Sequence, residues 1–292
     1  MAKLVIRTNI KLFFISVVLC AMILFPNSKI NLGLHVISKR SDGFHSIETA
    51  FYPIQWRDIL EITPHLGAKK KIKVTFSGIP INGNSNDNLC VKAYQLLDTE
   101  YLLPPVRIHL HKIIPMGAGL GGGSADAAFT LKMLNTIFEL NLNEENLLNY
   151  ASNLGSDCAF FIKNKAQYAQ GKGEVLSDIY IPLEGYWILV IKPQHNISTK
   201  EAYNGIFPKQ PKHHLMEVLK QKPEYWKDFL INDFEESILK KYPVIKSLKE
   251  NLYSRGAVYA SMSGSGSAVY GIFKSEPDVS NLNEYIFWKE LF

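Results

Sequence analysis

The segment PMGAGLGGGSADAAF, residues 115–129, constrains this chain more than any other stretch. It places five glycines between positions 117 and 123 and runs straight into an alanine-rich segment. Bare backbone at this density permits close approach and left-handed conformations that side chains forbid. A flexible linker has a similar composition, so the neighbours decide. Upstream, PVRIHLHKII (105–114) sets Val106, Ile108 and Leu110 against Arg107, His109 and His111, and a period of two predicts a half-buried strand. Downstream, SADAAFTLKMLNTIFEL (124–140) carries apolar residues at helical spacing. Strand, glycine turn, helix is an anion-binding arrangement, because the first N–H groups of a helix have no internal partner. A packing turn accounts for one or two glycines, not for five.

Two common phosphate motifs fit poorly. The dinucleotide fingerprint G-x-G-x-x-G is met by Gly117, Gly119 and Gly122, but it needs a parallel strand ending in an acid about 20 residues on. Glu139 stands near that distance with no strand ahead of it. The P-loop pattern is met at Gly117, Gly122 and Ser124, but Gly123 occupies the place of the lysine that carries its charge.

The rest of the chain sets bounds. Its 292 residues suit one large domain or two ordinary ones, and 47% apolar with 20% charged residues describes a folded globular protein. The net charge of +5 is dispersed; the run Lys69-Lys70-Lys71 with Lys73 reads as a solvated turn entering a strand, so no nucleic-acid partner is expected. Cys20, Cys90 and Cys158 lie far apart without metal-ligand spacing, which predicts reduced thiols and a cytoplasmic protein. Strands are expected at 28–37, 47–54, 58–63 and 71–76, with Asp42-Gly43 as a hairpin turn that favours positive φ at both residues. Helices are expected at 86–101, capped by Asn86 or Asp87, and after Asn143, ending at Gly155. Strands at 166–170 and 186–193, helices at 233–243 and 244–256, and two strands around a glycine-serine loop in 257–273 complete the reading. Strands that cluster early without strict alternation predict an α+β fold in two lobes, assigned to 22–170 and 171–292.

A third loop pattern fits throughout: Pro115, Met116, Gly117, Ala118, Gly119, Leu120, Gly121, Gly122, Gly123, Ser124 and Ala125. It resembles the second motif of the GHMP kinases, small-molecule kinases, and in particular the branch that phosphorylates 4-diphosphocytidyl-2-C-methyl-D-erythritol. The resemblance runs from about Ile23 to Phe273 with its motifs in family order. It implies an N-terminal lobe of mixed β-sheet and helices and a ferredoxin-like C-terminal α/β lobe. It also implies ATP on residues 115–125 with Mg2+, Ser124 as a metal ligand, and direct transfer to the 2-hydroxyl.

The resemblance assigns further residues. NSKINLGLHV matches the family's Lys-x-Asn-Leu, although Asn27-Ser28 replaces the usual Pro-Ala. Lys29 would be the electrostatic partner of a catalytic aspartate, and Asn31 a substrate contact. Asp157, in Gly155-Ser156-Asp157, would be the general base. Ser263-Gly264-Ser265-Gly266 matches the third motif. DGFH stands where the family has Asp-Gly-Tyr-His, so His45 would bond cytosine and Phe44 stack on it, with Tyr203 as a second aromatic and Phe51 and Thr199 as further contacts. Asn88 and Lys112 would face the adenine, and Lys112 could add charge for the phosphates. Read without the resemblance, Lys29 is a strand-edge lysine, Asp157 a helix cap, His45 a hairpin residue, Tyr203 a helix-face aromatic and 263–266 a turn. The alternatives are a GHMP kinase for another alcohol, such as homoserine or mevalonate, and a non-catalytic nucleotide-binding module. DGFH and the triple glycine speak against the first; the presence of Lys29 and Asp157 speaks against the second. The expected partner is a small-molecule substrate, and the expected assembly a monomer or homodimer.

Lys3, Arg7 and Lys11 precede the apolar run LFFISVVLCAMILF (12–25), as in an export signal. The run is shorter than the span of about 20 residues that crosses a bilayer, and Leu19 stands where a lipoprotein box has a small residue. Family members open close to their Lys-x-Asn strand. The expectation is therefore that residues 1–21 lie outside the family fold, with Met22 the start and no stable membrane partner, against the alternative of a membrane anchor.

Overall fold

The computed structural model describes residues 21–292. Its strands are β1 (Met22–Leu24), β2 (Asn27–Lys39), β3 (His45–Arg57), β4 (Ile59–Pro64), β5 (Ile72–Gly78), β6 (Val106–Lys112), β7 (Gln167–Gln170), β8 (Val175–Asp178), β9 (Trp187–Lys192), β10 (Tyr259–Met262), β11 (Val269–Phe273) and β12 (Ile286–Leu291). Its α-helices are α1 (Leu89–Tyr101), α2 (Gly122–Ile137), α3 (Glu144–Leu154), α4 (Phe160–Lys163), α5 (Thr199–Asn204), α6 (Leu215–Leu219), α7 (Glu235–Lys241) and α8 (Pro243–Ser254). Apart from Ala21, the expectations about residues 1–21 fall outside the described residues.

The chain forms two compact units that interleave along the sequence, so the expected single cut after residue 170 does not separate them. One unit comprises the described residues up to Pro26, Arg57–Ile113 and Gly123–Lys163; the other comprises Asn27–Trp56, Ile114–Gly122 and Asn164–Phe292. Local propensity finds strands but not their partners, and pairing decides membership.

The first unit is built on a mixed sheet in the order β1-β4-β6-β5. β6 pairs antiparallel with β4 and parallel with β5. The expected alternation along β6 holds: Val106, Ile108 and Leu110 are buried and Arg107 is exposed. Asn88, rather than Asn86 or Asp87, caps α1, its side chain accepting the Cys90 N–H. A 3-10 turn occupies Ser85–Asp87 and shifts the helix start by one step. Asn143 caps α3 as expected.

The second unit carries two sheets. One has the order β2-β3-β7-β8; the other, β10-β11-β9-β12, pairs antiparallel throughout. Numbered from β9 along the chain, the latter reads 2-3-1-4, the ferredoxin-like split βαβ order. The first crossover is helical, through α5 to α8, whereas residues 274–285 return to β12 without a helix. Ile30, Leu32, Leu120, Val190, Tyr259 and Tyr270 share one of its apolar cores. The β2–β3 connection corrects one detail. Gly43 alone has positive φ (+84°), and its N–H closes a turn onto the Arg40 carbonyl. Asp42 instead accepts the Phe44 N–H at 3.1 Å, so the connection is an ordinary turn followed by a left-handed glycine.

Candidate active site

The expected phosphate loop leaves β6 and enters α2. Within it Gly117, Gly119 and Gly121 have φ of +63°, +74° and +70°, while the intervening Ala118 and Leu120 are buried. Left-handed residues alternating with ordinary ones turn successive N–H groups toward one side, the arrangement that cradles anions. The loop continues into the first turn of α2, whose N–H groups lack intrahelical partners. Gly119 has a second reason to be glycine: a Cβ there would lie 2.0 Å from the Ser263 carbonyl oxygen. Residues 263–268, between β10 and β11, brace the loop from behind. Ser263 Oγ donates to the Gly119 carbonyl at 2.9 Å, and the Ala268 N–H to the Ala118 carbonyl at 3.2 Å.

Lys29 lies in β2 and is 3% exposed, so it is no solvent-facing edge lysine. Its N–H donates to the Leu120 carbonyl at 2.9 Å, and its ammonium to the Gly119 carbonyl at 3.0 Å and to Asn31 Oδ1 at 2.5 Å. The ammonium also stands 5.1 Å from the centre of the Phe51 ring, within cation–π range. Asn31, two residues along the same strand face, donates to Thr49 Oγ1 and, from its backbone, to Ser263 Oγ. The Tyr270 hydroxyl donates to its carbonyl. Lys29, Asn31, Phe51, the glycine loop and Ser263 thus come together from segments more than 230 residues apart.

Three expected substrate contacts gather at the β2–β3 hairpin. His45 stacks on Tyr203 with ring centroids 4.6 Å apart and planes 18° from parallel. Burial, then the charge of Lys39, lowers the imidazole's pKa and favours the neutral ring. Phe44 does not join this stack; it is 58% exposed, with the Lys172 ammonium 5.0 Å from its ring centre. Thr199 is exposed at the start of α5, one turn before Tyr203.

Asp157 is half-buried in the turn between α3 and α4 and accepts a 3.4 Å hydrogen bond from Ser156 Oγ. Ser124, in the first turn of α2, neighbours the Cys158 thiol, which burial pushes up to about 12. The start of the loop helix and the Asp157 turn therefore meet within one unit. Asn88 is engaged as the α1 cap. Lys112 departs from expectation: it is 3% exposed, and its ammonium is held by Asp58 at 2.5 Å and Asp126 at 2.7 Å. Its charge is spent on two carboxylates and cannot replace that of a P-loop lysine. The clue was in the alternation, since Lys112 continues the buried set Val106, Ile108, Leu110.

Among the described residues, no group of three or more His, Cys, Asp or Glu could hold a metal ion, and no helix is long and apolar enough to cross a membrane. The GHMP kinases N terminal domain matches residues 88–165, and the GHMP kinases C terminal domain residues 216–286. The 4-diphosphocytidyl-2-C-methyl-D-erythritol kinase of Bacteroides thetaiotaomicron is 54% identical over 255 residues, 87% of this chain and 93% of its own length. A crystal structure of 4-(cytidine 5'-diphospho)-2C-methyl-D-erythritol kinase superposes with a TM-score of 0.73 at 30% identity, covering 86% of this chain and 90% of its own. The mevalonate kinase of Methanococcus jannaschii, at 15% identity, 94% and 99% coverage and a TM-score of 0.68, shares the fold. With both family domains matched and more than half the residues shared across nearly a whole relative, the chain belongs to the GHMP kinases, in the 4-diphosphocytidyl-2-C-methyl-D-erythritol kinase family.

Proposed function

We propose that this protein transfers the γ-phosphoryl group of ATP to the 2-hydroxyl of 4-diphosphocytidyl-2-C-methyl-D-erythritol, in the cytoplasm, as a step toward isoprenoid precursors by the non-mevalonate route. The observation that carries the reading is the loop with left-handed glycines at every second position, opening into a helix start. The relatives supply the choice of acceptor. Backbone N–H groups of residues 117–125 hold the phosphate oxygens. Ser124 would meet a Mg2+ ion carried by the nucleotide, which would supply positive charge to the phosphates. Asp157 accepts the hydroxyl proton, and Lys29 contributes positive charge to the reacting groups. His45, Tyr203 and Phe44 receive the cytosine end, where a neutral imidazole can both donate and accept. Asn88 borders the adenine side.

The test is ADP release with 4-diphosphocytidyl-2-C-methyl-D-erythritol, homoserine and mevalonate offered in turn. Turnover of the cytidylyl alcohol is expected; turnover of homoserine alone would refute the acceptor, and ATP binding without any turnover would leave a nucleotide-binding module. Asp157→Asn should retain ATP affinity while kcat falls by about 10²- to 10⁴-fold, the usual share of a general base. Near-normal turnover in that variant would remove Asp157 from the role.

A further inference from the structure

The buried cluster of Asp58, Lys112 and Asp126 has no part in the phosphoryl transfer itself, yet it grips both flanks of the phosphate loop. Lys112 is the last residue of β6, and Asp126, 14 positions later, sits in the first turns of α2. Their 2.7 Å ion pair ties the point where the chain leaves the sheet to the point where the helix begins. Asp58, just ahead of β4, completes the tie: Oδ2 receives the Lys112 ammonium at 2.5 Å, and Oδ1 receives the N–H of Ile113, the first residue out of the strand, at 2.6 Å. The Lys112 carbonyl is fixed as well, by the Ile79 N–H at 2.8 Å. All three side chains are at most 3% exposed.

Stability alone is a poor account of such a cluster. Apolar residues of similar size usually match or exceed a buried ion pair, and here one carboxylate oxygen, Asp126 Oδ1, is buried without a hydrogen-bond partner. What charges offer that methyl groups do not is direction: two short bonds to one ammonium fix the separation of the flanks.

We propose that the side chains of Asp58, Lys112 and Asp126 form a clasp that sets the span of the phosphate loop and thereby determines nucleotide affinity, as positioning groups that themselves touch neither nucleotide nor alcohol. A loop held at its working span loses little freedom on binding. Released, it occupies the competent shape only part of the time, and apparent affinity falls by that fraction.

This inference rests on the kinase reading, and the experiment keeps the two apart. Full-length wild type, Lys112→Met and Asp126→Asn are compared by initial rates against ATP and against the cytidylyl alcohol. ADP binding is measured by calorimetry, and amide hydrogen exchange is followed across residues 113–125. For Lys112→Met, KM for ATP and Kd for ADP should rise about tenfold, as for a loop competent a tenth of the time, while KM for the alcohol changes less than about twofold. Asp126→Asn keeps the shape and one acceptor oxygen, and should give a smaller shift in the same direction. Exchange should quicken in 113–125 and stay unchanged in β9–β11. Should Lys112→Met fail to fold, Asp126→Asn carries the test. Unchanged ADP affinity in a folded variant, or equal losses for both substrates, overturns the clasp. Failure of the wild type to phosphorylate the alcohol while ADP affinity still falls in the variants overturns the acceptor and leaves the clasp standing.

Discussion

Two glycine-rich loops among the described residues differ in the element each one enters. Residues 115–123 lead into a 16-residue helix; residues 263–267 join two antiparallel strands. Both hold glycines in left-handed backbone, at 117, 119 and 121 in one and at 264 and 266 in the other. In the second loop the N–H groups of Ser263 and Gly266 are used at home, and that of the adjoining Ala268 supports the first loop. Ser263 N–H bonds the Ala268 carbonyl, Gly266 N–H the Ser263 carbonyl, and Ala268 N–H the Ala118 carbonyl. In the first loop the helix start leaves N–H groups without intrahelical partners. Glycine density shows where backbone runs close; the downstream element decides whether the next N–H groups enter a strand ladder or a helix start.

Substitutions can break this contrast. Gly119→Ala should have the largest effect, because the new methyl meets a backbone oxygen at 2.0 Å and φ is +74°. Overpacking and left-handed strain together should cost about 3 kcal/mol or more, read as a lower midpoint in urea melts. A midpoint near wild type would mean the loops are not in contact. Ser263→Ala removes the donor to Gly119 and the acceptor of the buried Asn31 N–H, and should cost about 1–3 kcal/mol by the same measurement. Gly123→Ala should barely change the midpoint, by about 0.5 kcal/mol or less, since its φ is not left-handed and a Cβ there meets nothing within 4 Å. A methyl in the proposed cradle should nevertheless raise KM for ATP, whereas an unchanged KM would place the phosphates elsewhere.

Much of this was legible in advance where the signal is local. β6 showed its period of two, Asn143 its cap, and the glycine loop its place between strand and helix. The hairpin at Asp42-Gly43 was legible as a turn but not in its conformation, because Asp42 satisfies a neighbouring N–H instead of adopting positive φ. β1, β8 and β12 escaped notice, being three, four and six residues long and held by partners elsewhere in the sequence. The site divides the same way. The motifs mark Lys29 and Asp157, but the surroundings of Lys29 come from residues 119, 51 and 263, and no spacing rule joins those. Asp58 and Asp126 gave no sign, since an isolated aspartate reads as a cap or a surface charge until a buried lysine is found between them.

The interleaving of the two units has a consequence for how the chain is made. β2 leaves the ribosome early, yet its carbonyl at Asn31 waits for a hydroxyl 239 positions later, and its amide for one 232 positions later. Closing contacts of such separation is slow, and until then part of this long strand is open to other chains. In the nascent protein β2 therefore keeps part of its bonding unmet until synthesis is nearly finished, and a chaperone that binds extended peptide would find it there.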